Sequence, residues 1–151
     1  MEQKVTEIGV FEYTESVHGG YWETKKNIKL FSKVYEINLR IDVFEDGPEG
    51  FTDEMVMATK ACLDTINQTD KVEQAIKNFY NTDIRYTLDE QIEIEDINEF
   101  VRLVKPIELY VTDFKIGLYN ECDWDDEDGL GIKFDREGNI KDVGGAGGTV
   151  Y

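Results

Sequence analysis

The stretch that decides the fold is Val34-Tyr35-Glu36-Ile37-Asn38-Leu39-Arg40-Ile41-Asp42-Val43-Phe44, in which apolar and polar side chains alternate. Successive side chains of a β-strand point to opposite faces of its sheet. A period of two therefore predicts a strand over residues 34–44 with one buried face and one solvated face. The loop that follows, Glu45-Asp46-Gly47-Pro48-Glu49-Gly50, ends this strand.

The residues before this strand favour further strands. Thr6 to Tyr13 is apolar on both faces and predicts one strand. His18-Gly19-Gly20 predicts a turn, because glycine adopts backbone conformations that other residues avoid. Apolar residues follow at Tyr21 and Trp22 and again over residues 28–31.

The pattern becomes helical after residue 50. Thr52 predicts the N-cap of a helix that extends to about residue 67. Asp70, with Glu73 three residues later, predicts a capping box that opens a second helix, ending over residues 81–83. Asp96 predicts the cap of a third, short helix that stops before Pro106.

The last third returns to strands. Apolar residues alternate over residues 107–112, 114–119 and 130–135, and the last of these leads through a hairpin turn at 136–139 to a strand at 140–143. The glycines of residues 144–148 predict a flexible or tightly bent tail. The order of strands, helices and strands predicts an α+β fold: a mostly antiparallel sheet from the N- and C-terminal strands, with two to three helices inserted between them. A chain of 151 residues suits a single globular domain, 1–151.

Composition excludes several classes of function. The chain carries 33 acidic and 16 basic residues, a formal net charge of −17. Nucleic acids and anionic membrane surfaces attract basic proteins, so we expect neither as a partner. No apolar run approaches the roughly 20 residues of a transmembrane helix. We expect a cytoplasmic protein, because the N-terminus does not resemble a signal peptide and only two cysteines are present.

The excess charge is local. Residues 83–128 hold 15 acidic and 4 basic residues, a net charge of −11. Within them, six acids fall in the eight residues Glu121-Cys122-Asp123-Trp124-Asp125-Asp126-Glu127-Asp128. Such a run repels itself. It predicts either a solvated loop between two strands or a binding face for a basic partner or a cation.

Trp124 allows two interpretations, since it lies inside this acidic run. The ring either docks on the domain and pins the loop, or it is exposed as an anchor for a partner. Tyr119 is a second candidate anchor, because tryptophan and tyrosine dominate the energetics of protein interfaces.

No residue pattern predicts catalysis. His18 is the only histidine, and neither Ser16 nor Ser32 lies in a nucleophile motif. Cys62 fits a helix core position, and the carboxylates around Cys122 oppose thiolate formation. Paired carboxylates could hydrolyse a glycoside, but 33 acids make chance pairs certain. The glycine-rich tail lacks the lysine and the helix of a phosphate loop. We therefore expect no enzyme, no catalytic residue and no cofactor.

A calcium site is the alternative prediction. Asp123, Asp125 and Glu127 match positions 1, 3 and 5 of an EF-hand loop, but Gly129 comes one residue late and Phe134 falls where the bidentate glutamate belongs. The spacing assigns no metal ligands. A calcium module of another kind and of unknown role stays open.

A motif near the C-terminus resembles one found near the C-terminus of a family of small uncharacterised bacterial proteins. Their motif is Trp-Asp-x-Glu-x-Gly-Leu-Gly, and here it reads Trp124-Asp125-Asp126-Glu127-Asp128-Gly129-Leu130-Gly131. An early tryptophan near a hairpin (Trp22) and a strand followed by a helix pair over residues 34–80 resemble the same family. Its members look like proteins encoded near polymorphic toxins. The resemblance thus implies a bacterial immunity protein.

We expect a non-enzymatic acidic protein that binds a basic protein partner, such as a nuclease toxin. The predicted contact residues flank and include the acidic run: Tyr119, Glu121, Asp123, Trp124, Asp125, Asp126, Glu127 and Asp128. The partner's identity and the oligomeric state stay open.

Overall fold

A computed structural model describes residues 2–151, and eight strands in it form one sheet in chain order. The strands are β1 (Gln3–Thr6), β2 (Gly9–Ser16), β3 (Gly19–Leu30), β4 (Lys33–Phe44), β5 (Val104–Val111), β6 (Ile116–Cys122), β7 (Asp125–Phe134) and β8 (Ile140–Gly144). All neighbours pair antiparallel except β4 and β5, which are parallel. The predicted α+β fold with a mostly antiparallel sheet is confirmed.

The helices lie in the connection between β4 and β5, because two parallel strands need a long crossover. They are α1 (Asp53–Gln68) and α2 (Lys71–Phe79), extended by a π-turn (Tyr80–Ile84) and a 3-10 turn (Arg85–Thr87), and two further 3-10 helices (Pro48–Gly50 and Ile97–Arg102). A short α3 (Ala146–Thr149) follows β8. The helix count is therefore slightly higher than the two to three predicted.

The alternation in β4 builds one side of the core, as predicted. Tyr35, Ile37, Leu39, Ile41 and Val43 are all buried. The apolar stripe of α1 and the buried residues of α2 belong to the same apolar cluster: Met55, Val56, Ala58, Cys62, Leu63, Ile66, Val72 and Ile76. Burying apolar surface at about 25 cal/mol per Å² is the main force that holds these helices on the sheet.

The predicted strand structure over Thr6 to Tyr13 is confirmed except at Glu7 and Ile8, which form a hairpin turn between β1 and β2. The Thr6 hydroxyl accepts a hydrogen bond from Ile8 N at 3.2 Å and donates one to Gly9 O at 3.0 Å. This local bonding reverses the chain between β1 and β2. The turn after β2 also falls earlier than predicted, at Val17 and His18, and Gly19 begins β3.

Two of the three predicted helix caps, Thr52 and Asp96, make the expected side-chain bond, and Asp70 does not. Thr52 Oγ1 accepts from Met55 N at 3.3 Å and caps α1. Asp70 occupies the N-cap position of α2 but makes no side-chain cap bond, so the predicted capping box is wrong. Glu73 instead accepts a hydrogen bond from Phe31 N at 2.7 Å, in the turn between β3 and β4. A tertiary partner has therefore taken the carboxylate that the local motif required.

Helical turns also continue past the predicted end at residues 81–83, as far as Thr87. The side chain of Asn81 does not cap its own helix. Its amide donates to Ile94 O at 2.7 Å and accepts from Ile94 N at 2.9 Å. Asp96 caps a helix as predicted, because its carboxylate accepts a hydrogen bond from Asn98 N at 2.9 Å. The helix that it caps is a 3-10 helix.

Two apolar positions of the C-terminal strands differ from their predicted burial. Phe114 is 91 % exposed, because it lies in the turn between β5 and β6 and not within a strand. Ile107 is only half-buried, since a register irregularity between Pro106 and Glu108 breaks the alternation of β5. The glycine-rich tail is folded and includes α3.

Within residues 2–151, none of the helices is both long enough and apolar enough to cross a membrane.

Candidate functional site

The six clustered acids lie on a β-hairpin and not in a loop, which corrects the sequence prediction. β6 ends at Cys122 and β7 begins at Asp125, with Cys122 and Asp125 paired in register and only Asp123 and Trp124 between them. The Asp125 carboxylate accepts hydrogen bonds from Glu127 N at 3.2 Å and Asp128 N at 3.0 Å, which stabilises this tight connection. We call residues Glu121–Asp128 the acidic hairpin.

The charge of the acidic hairpin is uncompensated. Five of its carboxylates are exposed and Asp125 is half-buried. None of the six lies within 4.0 Å of a basic group in the described part of the chain, where the ion pairs involve other acids. Lys105 is the register partner of Glu121 across β5 and β6, yet the two make no ion pair. The hairpin therefore presents a dense negative surface to solvent.

Trp124 lies against the domain, which favours the first of its two interpretations. It is half-buried and packs on the core. Its ring centroid lies 5.4 Å from that of Tyr80, which in turn packs edge-on against Phe100 at 5.4 Å. Much of this ring is thus used to fix the hairpin on the helical layer.

The second predicted anchor, Tyr119, is also engaged by the fold. It is half-buried, and its ring centroid lies 5.9 Å from that of Tyr151. A Cβ atom at Gly129 would come within 2.7 Å of this ring, and Gly129 has φ +75°. Burial, followed by the nearby Glu121 charge, raises the pKa of Tyr119. The phenol therefore stays neutral well above physiological pH.

Asp128 joins the acidic hairpin to the C-terminal tail. Its Oδ1 atom accepts a hydrogen bond from Gly147 N, in the first turn of α3, at 2.8 Å. A Cβ atom at Gly145 would overlap the same carboxylate. The glycines of the tail thus allow the chain to approach Asp128, and this acid stabilises the fold as well as contributing surface charge.

The candidate nucleophiles are poorly suited to catalysis. Burial raises the pKa of the Cys62 thiol to about 12 and that of the Cys122 thiol to about 11. Both thiols are therefore protonated near neutral pH, whereas the thiolate is the reactive form. His18 is exposed in the turn between β2 and β3, remote in sequence from both cysteines.

A cleft of about 320 Å³ lies between α1 and the turns that follow β5 and β7. Its acids include Asp135, and hydrogen bonding from Asn139 N, the largest influence, lowers the pKa of this carboxyl. A general acid needs a raised pKa, so Asp135 does not suit that role. The cleft offers a pocket without an evident acid–base pair.

Residues 2–151 contain no preformed set of metal ligands, since no three or more histidine, cysteine or acidic side chains among them are arranged to hold an ion. The calcium alternative therefore stays a prediction.

The structure also brings together aromatic residues that the sequence interpretation missed. Phe44, Phe114 and Tyr151 are exposed and surround one depression at the end of the sheet. In the sequence, each of these aromatic residues lies beside a turn or at the chain end. The alternation of apolar and polar residues along a strand does not predict burial at such positions. Beneath them, Tyr110 donates a hydrogen bond to Asp42 at 2.8 Å, and burial, with that bond, raises the pKa of Tyr110.

These features define an acidic α+β protein with one mostly antiparallel sheet and an exposed, uncompensated acidic hairpin. The chain belongs to a family described as a domain of unknown function (DUF6985), which matches residues 7–151. No curated protein and no solved structure matches the chain.

Proposed function

We propose that this protein works by binding and not by catalysis, and that the acidic hairpin receives a basic protein partner. One observation carries the proposal: six carboxylates lie in eight residues without an ion pair inside the described chain. Clustered like charges destabilise a fold. A complementary positive surface would relieve that repulsion.

The charges of such an interface act mainly on the rate at which the two proteins associate. Exposed charges steer the diffusional encounter of two proteins and can raise association rates by about 10- to 1,000-fold at low ionic strength. Charges at the rim of an interface affect the association rate and its salt dependence more than the dissociation rate. The exposed acids Asp123, Asp126 and Glu127 suit this role, since their side chains take part in no hydrogen bond of the fold.

The partner class that we propose is a bacterial toxin with a basic active surface, such as a nuclease. A nuclease carries positive charge to bind phosphates, and an array of carboxylates can imitate those phosphates. The resemblance of residues 124–131 to the motif of proteins encoded near polymorphic toxins supports an immunity role. Burial raises the pKa of both thiols, which argues against a cysteine nucleophile.

The test compares two variants that remove the same number of charges. The hairpin variant carries Asp123→Asn, Asp126→Asn and Glu127→Gln. The control carries Glu12→Gln, Glu15→Gln and Glu36→Gln, three exposed acids outside the hairpin that also form no ion pair. Association with purified basic nuclease domains, including any that prove to be encoded beside genes of this family, is followed by stopped-flow fluorescence over a range of salt concentrations.

We expect the hairpin variant to associate at least tenfold more slowly at low salt and to show a weaker salt dependence, because the steering charges are gone. The control variant should stay close to the unmodified protein. Equal losses in both variants would show that only total charge matters and would overturn the assignment to the hairpin. Salt-independent association would overturn the electrostatic mechanism.

A further inference from the structure

The pairing of β6 with β7 is interrupted at the base of the acidic hairpin. Regular pairing ends with Asn120 opposite Leu130, and it resumes only with Cys122 opposite Asp125. A single β6 residue, Glu121, therefore lies opposite four residues of β7: Asp126, Glu127, Asp128 and Gly129. Such an insertion is a β-bulge, a feature that re-aims side chains and is common beside functional sites. We call residues 126–129 the acidic bulge.

Without this bulge, the two strands would pair in a register that buries a charge. If the regular pairing continued past Asn120 and Leu130, Asp128 would lie opposite Cys122. Directly opposed residues of an antiparallel pair share one face of the sheet, and Cys122 is buried. A carboxylate without a cation is costly in such a place. The bulge instead directs Asp128 towards α3, where its carboxylate accepts a hydrogen bond from Gly147 N at 2.8 Å.

Gly129 allows the chain to leave the bulge and rejoin the regular ladder. Its φ is +75°, a left-handed conformation that residues with a Cβ atom rarely adopt. A Cβ atom at this position would also come within 2.6 Å of Asn120 O. Backbone conformation and space therefore both require glycine at the end of the acidic bulge.

Asn120 lies at the same point of the ladder on β6. Its side chain is fully buried on the strand face that also carries Ile116 and Leu118. Its Nδ2 atom donates to Leu130 O at 3.1 Å and to Leu118 O at 3.3 Å, whereas Oδ1 has no hydrogen-bond partner among residues 2–151. An apolar side chain would avoid the cost of this unpaired oxygen. The amide adds a cross-strand bond that holds Leu130 opposite Asn120, and fixing register is the best-attested role of buried polar groups.

We propose that Asn120 and Gly129 are positioning residues of the acidic hairpin, which fix the bulge at residues 126–129 and so hold its three carboxylates in one arrangement outside the core. The consequence for binding rests on the proposed function. Carboxylates that are already arranged need no reordering when a partner binds, and such preorganisation favours affinity. Steering depends mainly on the charges themselves, so we expect the positioning residues to act on dissociation.

The structural test replaces Asn120 with leucine, an apolar side chain of similar size that cannot donate across the strand pair. Thr59→Val is the matched control, since Thr59 in α1 is also fully buried and its hydroxyl has no hydrogen-bond partner within the described chain. Gly129→Ala is a second, independent variant, because the added Cβ atom opposes the φ of +75°. NMR measures the nuclear Overhauser effect between Cys122 and Asp125 and the hydrogen exchange of each backbone amide.

We expect Asn120→Leu and Gly129→Ala to weaken the signal between Cys122 and Asp125 at least twofold, and to speed amide exchange over residues 121–131 at least tenfold. Exchange in α1 and β4 should not change, and Thr59→Val should leave residues 121–131 as they are. An unaltered hairpin in either variant, or faster exchange spread evenly over the chain, would overturn the inference. If Asn120→Leu does not fold, Gly129→Ala decides alone.

The nuclease experiment separates this inference from the proposed function. Asn120→Leu and Gly129→Ala keep all six carboxylates, so association and its salt dependence should match the unmodified protein, while dissociation should be at least fivefold faster. Unchanged dissociation, with slow association of the hairpin variant, would overturn the positioning role in binding and leave the proposed function standing. Unchanged association of the hairpin variant would overturn the proposed function, and the NMR result would then decide by itself whether these residues position the bulge.

Discussion

Asp128 belongs to the acidic surface and also to the structure of the tail. Its carboxylate accepts the Gly147 N–H at 2.8 Å, in the first turn of α3, where backbone N–H groups lack partners within the helix. Asp128, in β7, therefore takes the place of an N-cap side chain for α3. The residues on either side of it in sequence gave no sign of this role, because its partner lies 19 positions away.

Replacing Asp128 tests this second role. Asp128→Ala should lower the free energy of unfolding by about 1 kcal/mol, the usual cost of losing an N-cap side chain. Asp128→Asn is the matched control, since its amide oxygen still accepts the hydrogen bond and the free energy should stay close to that of the unmodified protein. Chemical denaturation measures the stability, and hydrogen exchange should show faster exchange over residues 145–151 in Asp128→Ala. An equal loss in both variants would assign the effect to charge and not to the hydrogen bond.

At the scale of the element, local patterns predicted what local forces decide. The buried face of β4 and the Thr52 cap of α1 are both confirmed. The predicted solvated face of β4 is only partly exposed, because Asp42 is buried where it accepts a hydrogen bond from Tyr110. The Asp70 capping box is wrong because Glu73 bonds to Phe31, 42 positions away. The strand predicted over Thr6 to Tyr13 is interrupted at residues 7 and 8, because the Thr6 side chain closes a turn that apolar periodicity does not detect.

The two caps give opposite expectations for substitution. Thr52→Ala should destabilise the protein by about 1 kcal/mol, because Met55 N loses its acceptor. Asp70→Ala should change stability by no more than a few tenths of a kcal/mol, the range of ordinary surface substitutions, because Asp70 makes no cap bond. Urea denaturation of both variants, with Thr52→Ser as the conservative control, checks the pair. A loss for Asp70→Ala as large as that for Thr52→Ala would show that the capping box does form.

The candidate site was predicted less well than the fold, and the reason is again one of range. The acids of residues 121–128 are evident from the sequence, and the structure places them on one hairpin. The packing of Trp124 on Tyr80 is a tertiary contact across more than 40 residues, so the sequence left two interpretations open. Phe114 was predicted to be buried because its spacing from Ile116 continues a strand pattern, whereas the turn begins at Thr112.

At the scale of the whole molecule, the net charge of −17 is a cost to the folded state that the core must outweigh. The topology concentrates part of this cost. The chain crosses from β4 to the parallel strand β5 through the helices. The β6–β7 hairpin that follows then places six acids within eight residues around its turn at Asp123 and Trp124. The presence of a cluster that destabilises the fold accords with the trade-off between stability and function seen at many binding sites.

This trade-off predicts that the two charge variants differ in stability. The hairpin variant should melt about 2–4 °C above the unmodified protein at low salt, the shift expected for about 1 kcal/mol in a chain of this size, because three mutually repelling charges are removed. The control variant, which changes Glu12, Glu15 and Glu36, should gain less, since only Glu12 faces another acid across its strand pair (Glu23), while Glu15 lies opposite Gly20 and Glu36 opposite Asn27. High salt should raise the melting temperature of the unmodified protein and reduce the difference, because screening weakens repulsion between exposed charges. Calorimetry at two salt concentrations measures all three values. A hairpin variant that melts at or below the unmodified protein would show that the clustered acids stabilise the fold, and would remove the argument that they are retained for a partner.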